Sequence, residues 1–84
     1  MRYQIIIKRS AEKELNALPA ALRSRIAARL LALEDNPRPA GIKKLQGDES
    51  YRLRIGDYRV LLTIDDQRQQ AVIYAIGHRR EVYR

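Results

Sequence analysis

From Tyr51 to Ile64 every second residue is apolar, with Arg52, Arg54, Arg59, Leu61 and Thr63 between them, and one pair, Gly56-Asp57, breaks the run. Tyr51, Leu53 and Ile55 precede the pair; Tyr58, Val60, Leu62 and Ile64 follow it. A period of two belongs to a strand with one buried face. A two-residue connection led by glycine predicts a hairpin with a type II′ turn. An isolated hairpin is marginal in water, so this segment needs further strands and a cover for its apolar face.

The rest of the chain supplies both. Tyr3 to Lys8 is a β-branched run that predicts a first strand. Ser10 is placed to cap a helix, with Glu12 and Glu14 in a first turn that favours carboxylates. Leu15 and Leu18 give that helix its apolar stripe, and Pro19 suits the first turn of a second one. There Leu22, Ile26, Leu30 and Leu33 recur at i, i+4, i+8 and i+11, which marks one face. Asn36-Pro37-Arg38-Pro39 stops the helix. Residues 40–50 read as a loop anchored by Ile42 and Leu45 and carrying the basic pair Lys43-Lys44. Residues 65–69 form a turn, Gln70 to Ile76 a last strand, and residues 77–84 a polar tail. The expectation is a single α+β domain over residues 1–84. Its order is β-α-α-β-β-β, an antiparallel sheet meander with an N-terminal helical hairpin packed on one face.

Hairpin register then singles out a set of charges. With Gly56-Asp57 as the whole loop, Arg54 opposes Arg59 and Arg52 opposes Leu61. Arg52, Arg54 and Arg59 thus share the face opposite the core. Like charges directly across a ladder are destabilising unless an anion lies between them. The guanidinium fork fits a phosphodiester best and the carboxylates of an acidic partner next. A bulge or a longer turn would move Arg59 to the other face. Whole-chain charge points the same way: 17 Lys and Arg against 10 Asp and Glu give +7, which suits a polyanion or an acidic protein.

Composition also excludes. With no Cys there is neither a disulfide framework nor a thiolate metal site, and His78 alone does not make a zinc site. No metal and no cofactor are expected. No apolar run approaches the roughly 18 residues of a membrane span, and Met1 to Lys8 is too short for a signal peptide. The expected location is cytoplasmic, with no membrane partner. In the tail, His78 reads either as a surface residue or as an acid–base group. Tyr83 reads as a packed aromatic or a reactive phenol.

Tyr51-Arg52-Leu53-Arg54-Ile55-Gly56-Asp57-Tyr58-Arg59-Val60, followed by Ile76-Gly77-His78-Arg79-Arg80-Glu81-Val82-Tyr83, resembles the RelE/ParE toxin superfamily, most closely its RelE/StbE branch. The likeness extends over nearly the whole chain. It implies a RelE-like fold and a ribosome-dependent endoribonuclease that cleaves mRNA in the decoding site. There the 2′-hydroxyl attacks the adjacent phosphorus and leaves a 2′,3′-cyclic phosphate. The family's functional positions fall on Arg52, Arg54, Arg59, Arg79 and Tyr83. His78 joins the catalytic candidates, and Lys43, Lys44 and Arg80 the phosphate-binding ones. Arg52 and Arg54 stand where the best-known members carry Lys. Because Arg stays protonated, these residues clamp phosphate, and proton transfer falls to Tyr83, His78 or a ribosomal group. No additional helix is expected after Tyr83. The implied partners are an acidic RelB-like antitoxin that folds on binding, the ribosome at its 30S A site, and mRNA. The toxin–antitoxin complex is expected to bind its operator through the antitoxin. The competing readings are a ParE-like inhibitor of DNA gyrase and a non-catalytic antitoxin-binding module.

Overall fold

The structure, a computed structural model, describes residues 2–45 and 49–78. Its elements are β1 (Gln4–Ile7), α1 (Arg9–Asn16), α2 (Ala20–Ala32), β2 (Ile42–Lys44), β3 (Ser50–Ile55), β4 (Tyr58–Asp65) and β5 (Gln70–His78). The five strands form one sheet in the order β1-β5-β4-β3-β2. The α+β expectation holds, with two refinements. First, β2 to β5 are antiparallel neighbours, but β1 joins the far side of β5 in parallel, Gln4 opposite Gln70 and Ile7 opposite Ile73. A helical connection allows this, because only a crossover can return a chain parallel to its start. Second, the loop over residues 40–50 contributes a short edge strand. Gly41, at φ +91°, lets its carbonyl approach and accept from the Arg54 N–H at 3.1 Å.

The predicted hairpin forms in the predicted register. Ile55 pairs with Tyr58, Arg54 with Arg59 and Leu53 with Val60. Gly56 takes φ +59° while Asp57 does not enter the positive region, as a type II′ turn requires. At the far end, the Asp65 carboxylate accepts from the N–H groups of Gln67 and Arg68 and shapes the β4–β5 turn.

The core lies between the helices and one face of the sheet. Ala11, Leu15, Ile26, Leu30 and Leu33 pack on Leu53, Ile55, Val60, Leu62, Ile64, Ala71, Ile73 and Ile76, all buried. Leu22 and Leu18 pack on its margin. A bulge interrupts the alternation: Leu61 pairs with Ala75 but Leu62 with Ile73, so Tyr74 is the extra residue. The bulge is why Ile73 and Ile76, three apart, both face inward.

One expected cap does not form. α1 is preceded by Lys8, which makes no side-chain cap bond. Ser10 lies inside the helix, and its hydroxyl instead donates to the Tyr74 carbonyl at 3.4 Å. From the same helix, Glu14 accepts from the Ile76 N–H at 2.9 Å. β1 covers β5 only as far as Ile73. Beyond that point, side chains of α1 satisfy the strand's exposed polar groups, and packing against β5 overrides local capping preference.

Candidate nucleic-acid interface

The face of the sheet away from the helices carries a row of cations. Strand alternation and register place Arg52 and Arg54 on β3 and Arg59 on β4 together, as expected. Lys43 on β2 pairs with Arg52 and adds a fourth. Arg54 is directly opposite Arg59, where β-carbons lie roughly 4.5–5.5 Å apart. On its other side Arg59 faces Gly77, which offers no side chain to share the space. One Arg59 terminal nitrogen donates to the Tyr58 carbonyl at 3.2 Å. Its Nε is buried and has no protein acceptor among the described residues. A buried charged donor without an acceptor is costly. Three guanidiniums with one ammonium on this face would complement the charge of a phosphate.

Two expected members of this set stand elsewhere. Lys44 follows Lys43 on the strand and pairs with Tyr51, so it points to the opposite face. There it lines a cleft of about 450 Å³ with Arg38, Glu49, Tyr51 and Asp66. His78 pairs with Tyr58, and their rings meet edge to face at 5.5 Å. It lines a second, smaller cleft with Glu14, Leu18 and Tyr58, on the helix side of the sheet. The bulge at Tyr74 is the cause. Without that extra residue the alternation running through Ala71 and Ile73 would have put His78 among the arginines. Arg79, Arg80 and Tyr83 lie outside the described residues. Among the described residues no group of His, Asp or Glu converges as a metal site.

A family model described as the ParE toxin of type II toxin–antitoxin systems matches residues 5–83. The chain belongs to the RelE/ParE toxin superfamily. A protein of Methanocaldococcus jannaschii that bears the name toxin RelE1 is 31% identical over 88 residues, covering 100% of this chain and 98% of its own. A chain of the archaeal RelE–RelB complex of Pyrococcus horikoshii superposes with a TM-score of 0.85 at 30% identity, over 96% of this chain and 99% of that one. A chain of the RelBE2 toxin–antitoxin complex of Mycobacterium tuberculosis gives 0.82 at 25% identity, covering 93% and 99%. No helix of the described toxin residues is long and apolar enough to cross a membrane.

Sequence reading missed one constellation in this RelE/ParE toxin. Arg38, assigned only to the helix stop, forms a two-pronged pair with Asp66, both N···O distances 3.0 Å. It also donates to the Tyr51 hydroxyl at 3.1 and 3.2 Å and lies 5.1 Å from that ring's centre. Tyr3 donates to the same carboxylate at 2.6 Å. The Arg38 guanidinium, aided by the Tyr3 hydroxyl, holds the Asp66 carboxyl below its usual range. In turn, the hydrogen bond to Asp66 raises the Tyr3 phenol. This clasp ties the N-terminus and the segment after α2 to the β4–β5 turn, at the opposite end of the sheet from the Arg54–Arg59 pair. No spacing rule joins residues 3, 38, 51 and 66; the sequence assigns each only to its own strand or turn.

Proposed function

We propose that this toxin is a RelE-type, ribosome-dependent endoribonuclease that cleaves mRNA in the A site and is silenced by a RelB-like antitoxin. The observation that carries the reading is the open sheet face, where Arg54 opposes Arg59 and Lys43 opposes Arg52. Similarity to a RelE1 toxin and to a chain of a RelE–RelB complex supports it.

In the reaction, the 2′-oxygen forms a bond to the adjacent phosphorus as the bond to the 5′-oxygen breaks. The products are a 2′,3′-cyclic phosphate and a 5′-hydroxyl. One proton leaves the 2′-hydroxyl and one reaches the departing oxygen. Arg52, Arg54 and Arg59, with Arg79 from the tail, hold the phosphate and stabilise the charge that grows on its oxygens. Guanidiniums do not give up a proton at neutral pH, so the base and acid are other groups. Tyr83 is our candidate within the chain, its phenol made more acidic by neighbouring cations; a ribosomal group is the other source. Lys43 and Arg80 serve as additional phosphate contacts. The substrate places the protein in the cytoplasm, and the antitoxin partner is acidic and folds as it binds.

Primer extension on a defined mRNA with programmed ribosomes tests this. Cuts inside A-site codons that require ribosomes, and that vanish with Arg79→Ala and Tyr83→Phe, support the reading. Cleavage surviving both substitutions removes the active-site assignment. A second reading, inhibition of DNA gyrase without RNA chemistry, is favoured by the ParE description of the matching family model. Growth arrest without any cuts would select it.

A further inference from the structure

The described residues contain a second run of positive charge. α2 reads Ala-Ala-Leu-Arg-Ser-Arg-Ile-Ala-Ala-Arg-Leu-Leu-Ala, with three arginines and no acid. Arg25 and Arg29 stand four apart, on one side of the helix and a turn from each other. Like charges at that spacing weaken a helix, and neither guanidinium makes an ion pair among the described residues. Arg25 is exposed, yet it is not directed into open solvent. Its guanidinium lies over the β3–β4 turn, with its nitrogens 3.6 and 3.7 Å from where a β-carbon on Gly56 would be. Gly56 is two residues beyond Arg54, about 7 Å along the strand. Arg25 therefore bridges two surfaces that the fold otherwise separates: the cationic face of the sheet and the solvent side of α2.

We infer that the RNA-binding track continues off the sheet, around the Gly56-Asp57 turn and onto α2, where Arg25 and Arg29 contact further backbone phosphates of the same strand. This rests on the RNA reading of the sheet face and extends it. A single-stranded polyanion suits the geometry, because the cations follow a bent line from β2 across β3 and β4 to the helix. An acidic helix would instead need an apolar seam to dock on, and Arg25 sits at the glycine turn rather than beside one.

The test is the salt dependence of binding to single-stranded RNA, using one oligonucleotide of about twenty nucleotides and one of about six. Each lost phosphate contact lowers the slope of log K against log salt by about 0.7. The Arg25→Ala/Arg29→Ala variant should lower the slope by about 1.4 on the long RNA and leave it unchanged on the short one. Alanine favours the helix, and circular dichroism with an Arg25→Gln/Arg29→Gln variant separates lost contacts from a lost fold. An unchanged slope on the long RNA, while Arg54→Ala and Arg59→Ala still lower it, would end the track at the sheet. If none of these substitutions changes the slope, or the unmodified chain fails to bind RNA at low salt, the extension fails, and the primer-extension assay with ribosomes decides separately whether the RNA reading of the sheet stands. Weakened binding to polyglutamate with RNA binding intact would assign α2 to an acidic protein and overturn the inference.

Discussion

Glu14 on α1 and Ile76 on β5 are joined by a hydrogen bond of 2.9 Å from the strand's N–H to the carboxylate. The helix thereby finishes an edge that β1 leaves uncovered beyond Ile73. Ser10 does the same for the Tyr74 carbonyl. Removing the acceptor leaves a part-buried N–H unsatisfied. Glu14→Ala should lower unfolding free energy in urea by about 1–2 kcal/mol, and Glu14→Gln, which keeps an acceptor oxygen, by less. Equal losses for the two would show that the bond contributes nothing beyond packing.

The opposition of Arg54 and Arg59 sets function against stability. Arg54→Ala removes a like-charge pair worth about 0.2–1 kcal/mol of repulsion. The variant should be as stable as the unmodified toxin or more so at low salt, with the difference shrinking as salt screens the pair. Under the proposed function, ribosome-dependent cleavage by this variant should fall at least tenfold. A variant that is both less stable and fully active would mean the two guanidiniums are structural.

His78 stands on the helix side with Tyr58, away from the arginines. His78→Gln should keep cleavage within about threefold of the unmodified toxin, and the pH–rate profile should keep its shape. A hundredfold loss with the loss of one limb of that profile would return His78 to the reaction.

The Arg38–Asp66–Tyr3 clasp predicts a pH signature. The Asp66 carboxyl has a lower pKa folded than unfolded. Its contribution is therefore complete above the unfolded value of about 3.9 and is lost as pH falls through the lower folded value. Asp66→Asn should melt below the unmodified toxin at neutral pH, and the gap should close under acid. Tyr3 shifts the other way. Its contribution holds below about pH 10 and is lost as pH rises through the raised folded value. Thermal melts of Asp66→Asn and Tyr3→Phe between pH 2 and 11 (about the range the two groups span) check both signs; gaps that ignore pH would count against the clasp.

What the sequence determined by itself was local. Alternation from Tyr51 to Ile64, with a glycine where a positive φ is needed, specifies the hairpin, its turn and the common face of Arg52, Arg54 and Arg59. Each pairing there depends on a few neighbouring residues, so periodicity was enough. The helix stripe through Ile26, Leu30 and Leu33 was legible for the same reason. Tertiary structure decided what two-residue alternation cannot carry. The bulge at Tyr74 lies on β5, which the sheet holds between β4 and β1, and one inserted residue reverses the face of all that follow. It brought Ile76 into the core and took His78 out of the cationic face. Likewise, Ser10 could cap a helix or satisfy a distant carbonyl, and the uncovered edge of β5 selected the second. Arg38, Asp66, Tyr3 and Tyr51 meet because β1 pairs in parallel with β5 and brings the N-terminus to the β4–β5 turn. Contacts between residues so far apart in the chain leave no periodic trace, since they depend on how the elements are placed and not on any spacing within one.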